Sequence, residues 1–218
     1  MLIAQITDIH LGFEPDTPDE FNRLRLDRTI QALLEMDPRP DLLLATGDLV
    51  DRGDRESYER LREALFNVLA HAYGDAADGA RVLDLFAGTG ALGLEALSRG
   101  AKLAVFVDEA PEPRGLIRAN VETLGVGGIT RIFRRDATKL GEAFANDAFD
   151  LVFCDPPYGR GLAEKALASA LSGKWLAPEA LIVVEESVEA AFSAPEGFEE
   201  LERRRYDSSE IVFLRAPG

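Results

Sequence analysis

Two groups of residues have the types and spacing for chemistry. In the first, Asp8-Ile9-His10 follows one apolar run and Gly47-Asp48 follows another. Residues two apart on an extended chain point the same way, so Asp8 and His10 share a side. With Asp48 on a neighbouring strand they make a corner for a divalent metal. The second group begins with Asp84-Leu85-Phe86-Ala87-Gly88-Thr89-Gly90. Gly88 and Gly90 permit positive φ and a close approach of ligand to backbone. A helix starting near Ala91 would aim free N–H groups at that turn. Asp84 would accept hydrogen bonds from the turn or from an ammonium group. Asp108, 24 residues further on, ends the next strand, where an acid can take both hydroxyls of a ribose. Asp136-Ala137 and Asp155-Pro156-Pro157-Tyr158 end two more strands.

The Asp155–Tyr158 segment points to an amine as nucleophile. An exocyclic amine on a base is weakly nucleophilic because its lone pair is delocalised into the ring. The Asp155 carboxylate and the Pro156 carbonyl form a pair of acceptors that can hold its two N–H groups and steer the lone pair out of plane. Prolines stiffen that backbone. Tyr158 offers a flat face for a base taken out of its stack. Each acid also has a plainer reading, as a helix cap or a turn residue.

These residues need strands and turns to position them. From Arg81 onward strands and helices alternate: strands at 82–87, 103–108, 130–136, 150–155 and 180–186, helices near 90–99, 112–124, 138–145 and 160–172. The strands are continuous apolar runs, as in a parallel sheet covered on both faces. The pattern predicts an α/β, doubly wound, mainly parallel sheet whose acids gather at the carboxyl edge. Residues 198–207 and 209–216 read as a closing antiparallel hairpin. Upstream, strands at 1–7 and 41–46 and helices over 21–36 and about 56–73 make a β-α-β-α segment. The expected division is 1–60 and 61–218.

Composition excludes several classes. With 46% hydrophobic and 29% charged residues over 218 positions, the chain is globular rather than disordered. No uncharged apolar run is long enough for a membrane span, the start lacks the pattern of a secretory signal, and the single Cys154 forms no internal disulfide. A cytoplasmic location without membrane partners is expected. Two histidines, His10 and His71, exclude a site needing three from one copy. A net charge of −15 repels nucleic acid at long range, so an RNA substrate requires a local basic patch. The basic clusters are Arg131, Arg134 and Arg135, and Arg203 to Arg205, each also readable as a solvated face.

Two family resemblances overlay this reading. TDIHLG followed by ATGDLVDRGDRESYERL resembles the opening of the calcineurin-like metallophosphoesterases, close to the cyclic-nucleotide phosphodiesterase branch. That resemblance implies Asp8, His10 and Asp48 as ligands to a divalent metal that activates water. The family's later Gly-Asn-His and Gly-His-x-His segments have no counterpart, so the metal site is incomplete. Residues from about 61 to 218, through LREALFNVLAH, VLDLFAGTGALGLEALSRGA and DPPY, resemble the bacterial 16S ribosomal RNA guanine-N2 methyltransferases. This implies a Rossmann-like methyltransferase using S-adenosylmethionine. Asp84, Phe86, Ala87, Gly88, Thr89, Gly90, Asp108, Asp136 and Ala137 would then hold the cofactor, the last two at the adenine. Asp155, Pro156, Pro157 and Tyr158 would carry the methyl transfer, with 16S rRNA or the small ribosomal subunit as partner. The family's basic β-hairpin and Arg-Pro-Thr segment ahead of REALFN are not matched.

The two resemblances meet near ERLREALF, which reads as a chimera of two incomplete parts. Two alternatives to the transferase follow: a metal-dependent phosphodiesterase, and a cofactor-binding chimera without turnover. The apolar strands LIAQI and DLLLA must pair with each other, with a sheet edge or with another chain, so self-association through this segment is a further expectation.

Overall fold

The computed structural model describes residues 3–6, 42–45, 55–144, 147–206 and 209–218. It divides into two compact units, Met1–Ala64 and Leu65–Gly218. In the first, strands β1 (Ile3–Ile6) and β2 (Leu42–Ala45) pair in parallel, with Ile3 opposite Leu42 and Ile6 opposite Ala45. Each is four residues of an apolar run, and together they form a separate two-stranded sheet. Asp8, His10, Asp48 and the helix expected at 21–36 lie outside the described residues.

Helix α1 (Arg55–Ala72) contains the unit boundary. It leads into β3 (Arg81–Leu85), α2 (Ala91–Ser98), β4 (Leu103–Val107), α3 (Pro111–Leu124), β5 (Thr130–Phe133), β6 (Phe149–Cys154), α4 (Leu162–Ser172), β7 (Leu176–Ser187), β8 (Glu199–Tyr206) and β9 (Ser209–Arg215). The strands form one sheet in the order β5-β4-β3-β6-β7-β9-β8. The first five are mutually parallel, and β9 runs antiparallel to both β7 and β8. This is a Rossmann-like methyltransferase fold with a closing hairpin. Chain order reverses between β3 and β6, the position at which such sheets bind ligands.

The continuous apolar runs of β3, β4 and β6 are buried because helices cover both sides of the sheet. Phe66 of α1 is 1% exposed and packs on Phe153 of β6, with ring centroids 5.7 Å apart. Burying a ring of that size contributes about 2–3 kcal/mol. On the opposite face Ala163, Ala166, Leu167 and Ala170 of α4 pack on Leu83, Val105, Val152, Val184 and Val212.

One expected element is absent. Over the described part of the helix expected at 138–145, residues 138–144, no α-helix forms: a single 3-10 turn, Ala137–Lys139, is followed by irregular chain. Tertiary partners take the backbone groups that a helix would pair internally. The Leu140 amide donates to Ser169 Oγ at 2.8 Å, the Trp175 indole to the Gly141 carbonyl at 2.8 Å, and the Ala143 amide to the Gly173 carbonyl at 2.8 Å. Gly141 takes a φ of +69°, which a helix interior does not tolerate. Strand β5 also ends sooner than the run to 136 suggested, and β7 starts four residues before 180. No helix among the described residues is long and apolar enough to cross a membrane.

Candidate functional site

Three positive-φ residues shape the bend after β3: Phe86 at +59°, Gly88 at +54° and Gly90 at +78°. The conformation suits glycine and is uncommon for phenylalanine, so Phe86 holds a strained backbone there. A Cβ at Gly88 would meet nothing closer than 3.9 Å, so this part of the bend has open space in front of it. A Cβ at Gly93, one turn into α2, would lie 2.5 Å from Phe106 Cε1 and 3.0 Å from Asp84 Oδ2. Gly93 therefore sets how closely α2 can dock on the sheet.

Asp84 lies inside β3, and its Oδ2 accepts the Gly93 amide at 2.9 Å. Burial pushes its carboxyl up to about 8, the Gly93 N–H opposes that rise, and the Asp108 charge adds to it. Asp108, just beyond β4, spans two backbone amides: Oδ2 accepts from Gly88 at 3.0 Å and Oδ1 from Ala110 at 2.9 Å. Each oxygen retains a lone pair for a further donor. Asn120 of α3 fixes the far side of the bend by donating to the Thr89 carbonyl at 3.1 Å. Asp136 caps the 3-10 turn, accepting from the Thr138 amide at 2.9 Å and its hydroxyl at 2.6 Å. Those bonds hold its carboxyl below the usual range. Ala137 is buried behind it.

The Asp155–Tyr158 segment leaves β6 beside this bend. The Asp155 amide donates to the Leu85 carbonyl at 3.4 Å, tying the two strand ends together. Pro156 is buried, while Pro157 and Tyr158 are exposed. The Asp155 carboxyl is pushed well up, first by burial and then by the charges of Glu185, Asp84 and Glu186. Among the described residues no donor is bonded to it. Two consecutive glutamates at the end of β7 hold the loop. Tyr158 donates its hydroxyl to Glu185 Oε1 at 2.6 Å, with Ser209 Oγ 3.4 Å away. Glu186 Oε1 accepts the amides of Gly159 at 3.0 Å and Ser187 at 2.8 Å.

Asp84, Asp108 and Asp155 thus meet at one edge of the sheet, and Asp136 follows the next strand outward. Sequence reasoning missed Gly93, Asn120, Glu185 and Glu186. A signal existed for Glu185, since an acid at the carboxyl edge of an apolar strand lies level with Asp155 on the neighbouring strand end.

The basic clusters are largely neutralised. Arg131 pairs with Asp147 at 2.7 Å, as does Arg81, and Arg135 stacks against Phe133 and Trp175 while donating to the Leu140 carbonyl. Arg203 is bridged to Glu200 at 2.8 Å and to Glu210, Arg204 to Glu202 at 2.7 Å, and Arg205 to Glu210 at 3.7 Å. Arg134 and Arg160 are exposed, and Arg160 follows directly on the Tyr158-Gly159 loop. Among the described residues no group of three or more His, Cys, Asp or Glu is arranged to hold a metal.

Residues 49–215 match the family described as Conserved hypothetical protein 95. The chain belongs to this family. Over 137 residues it is 41% identical to the Escherichia coli protein named ribosomal RNA small subunit methyltransferase D, covering 63% of this chain. The chain spans 66% of that relative's length. The solved structure of yhhF, a candidate methyltransferase from Escherichia coli, superposes with a TM-score of 0.65 at 32% identity, covering 77% of this chain and 88% of that one. Residues 1–83 match the calcineurin-like phosphoesterase family. A Nostoc protein named 3',5'-cyclic-nucleotide phosphodiesterase is 42% identical over 78 residues, 33% of this chain and 27% of its own length.

Proposed function

We propose that this chain transfers a methyl group from S-adenosylmethionine to the exocyclic N2 of a guanine in small-subunit ribosomal RNA. The observation that carries the reading is Asp155: a carboxyl set among three other acids, with no donor among the described residues, beside a bend with open space at Gly88. Such a site calls for cationic and N–H-bearing ligands. The residues present fit S-adenosylmethionine, which carries a sulfonium and an ammonium. Asp84 and the bend from Phe86 through Ala87, Gly88, Thr89 and Gly90 would hold its methionine part, Asp108 its ribose hydroxyls, and Asp136 with the Ala137 amide its adenine. When bound, the cofactor supplies an electrophilic methyl, already activated.

The chain's own residues then have to position the acceptor. Asp155 and the Pro156 carbonyl accept the two N–H groups of the amine, which turns its lone pair toward the methyl. Tyr158 supports the base on its ring face. The proton released after transfer passes to Asp155 or to water. The name of the 41% identical relative supports methyl transfer to small-subunit ribosomal RNA, and the description of yhhF supports methyl transfer. Residues 1–60 we read as a part distinct from 61–218, in keeping with their likeness to the phosphoesterases.

Calorimetry with S-adenosylmethionine, followed by methyl transfer to small subunits from a strain lacking this methylation, tests the proposal. Saturable binding and one N2-methylguanine per subunit are expected. No binding at about 1 mM, weaker than any working cofactor affinity, overturns it.

A further inference from the structure

Glu185 has no role in the reaction as described so far, yet it lies within the acceptor site. Cys154 of β6 and Val184 of β7 are register partners, so the next residues, Asp155 and Glu185, leave neighbouring strand ends on the same face of the sheet. Glu186 points to the other face, where it holds Gly159 and Ser187. Tyr158 donates its hydroxyl to Oε1 of Glu185 at 2.6 Å, which pins that oxygen and leaves Oε2 as a second acceptor beside Asp155.

An extruded base is read by hydrogen bonds to its Watson–Crick edge. Guanine presents the N2 amine next to a ring N1–H, two adjacent donors. Adenine and cytosine present their amine next to a ring nitrogen that accepts. Two adjacent carboxylates match the first pattern and leave the second with opposed acceptors. Burial raises both Asp155 and Glu185, and an N–H donated to either favours its ionised form. A base with two neighbouring donors lets both ionise, whereas an accepting ring nitrogen requires one of them to keep its proton.

Resting on the transferase reading above, we propose that Glu185 is the residue that selects guanine, its carboxylate accepting the ring N1–H while Asp155 and the Pro156 carbonyl hold the N2 amine. Tyr158 serves twice, as a surface for the base and as the group that orients Glu185.

2-Aminopurine separates the roles, because it keeps the N2 amine but has an accepting N1. Small-subunit RNA is assembled by ligation with guanine or 2-aminopurine at the nucleotide that the wild-type protein methylates. Methyl transfer is followed for wild type and Glu185→Gln, with kcat and KM determined separately. In the variant the Tyr158 hydroxyl holds the amide oxygen, so the amide NH2 faces N1. The ratio of kcat/KM for guanine over 2-aminopurine is expected to fall by about tenfold or more, the effect of one mismatched hydrogen bond at a base edge, with 2-aminopurine turnover rising. A purely structural role would lower both substrates together. An unchanged ratio in a folded Glu185→Gln protein overturns the proposal, as does a wild-type protein that accepts both bases equally. If Glu185→Gln does not fold, Tyr158→Phe is measured in the same way. It removes the pin and should lower the ratio, and an unchanged ratio again overturns the proposal. Failure of the wild type to methylate guanine at all overturns the transferase reading itself.

Discussion

Replacing Asp84 by asparagine should remove much of the protein's sensitivity to alkaline conditions. Asp84 is 2% exposed, and burial pushes its carboxyl up to about 8 from an ordinary value of 3.8. An acid raised in this way stabilises the fold fully below its unfolded value. That contribution is lost as the pH climbs from about 4 through about 8, because the unfolded chain ionises freely and the folded chain does so only at a cost. At about 1.4 kcal/mol per tenfold change in acid strength, the cost by pH 8 is on the order of 5 kcal/mol. Asp84→Asn stays neutral throughout, and its carbonyl can still accept the Gly93 amide now bonded at 2.9 Å. Thermal melts of the ligand-free full chain at pH 5, 6, 7 and 8 provide the assay. Between pH 5 and 8 the wild-type midpoint should drop further than that of the variant, by on the order of 10 °C. Asp155 and Glu185 are raised by burial in both proteins, and the variant also loses the Asp84 charge that adds to the Asp155 rise, so the difference between the two curves reports Asp84 together with its coupling to Asp155. Parallel curves would refute the reasoning, since they would mean that Asp84 is ionised in the fold at neutral pH.

Gly93→Ala sets a new Cβ 2.5 Å from the buried Phe106 ring, an overpacking cost of about 1–3 kcal/mol that exceeds the roughly 1 kcal/mol gained in helix propensity. Its urea midpoint should fall, and a midpoint at or above wild type would show that α2 is free to shift. Asp155→Ala should reduce methyl transfer to small subunits by about a hundredfold or more while S-adenosylmethionine affinity stays within about twofold, because the role proposed for Asp155 is on the acceptor amine. Normal turnover in that variant would remove Asp155 from the mechanism.

Strands β3, β4 and β6 fall within a residue or two of the positions their apolar runs suggested, because a parallel strand buried on both faces must be apolar throughout. The turn at Gly88 and Gly90 was equally legible, since a positive φ selects glycine locally. Residues 138–144 were not, because the groups that draw them out of a helix, Ser169, Gly173 and Trp175, come from a later helix and the approach to β7. The arginine runs were legible as charge but not as partners: Asp147 draws in Arg131 and Arg81 from different strands.

By itself the sequence determined the alternation of strands and helices and the placing of acids at strand ends, since periodicity and turn chemistry act between near neighbours. Tertiary structure alone decided that Asp84 loses access to water, that Glu185 reaches the Tyr158 hydroxyl across 27 residues, and that Asp155 finds no donor among the described residues. Desolvation and charge coupling depend on which distant segments come to lie side by side, and strand pairing sets that only when the sheet is complete.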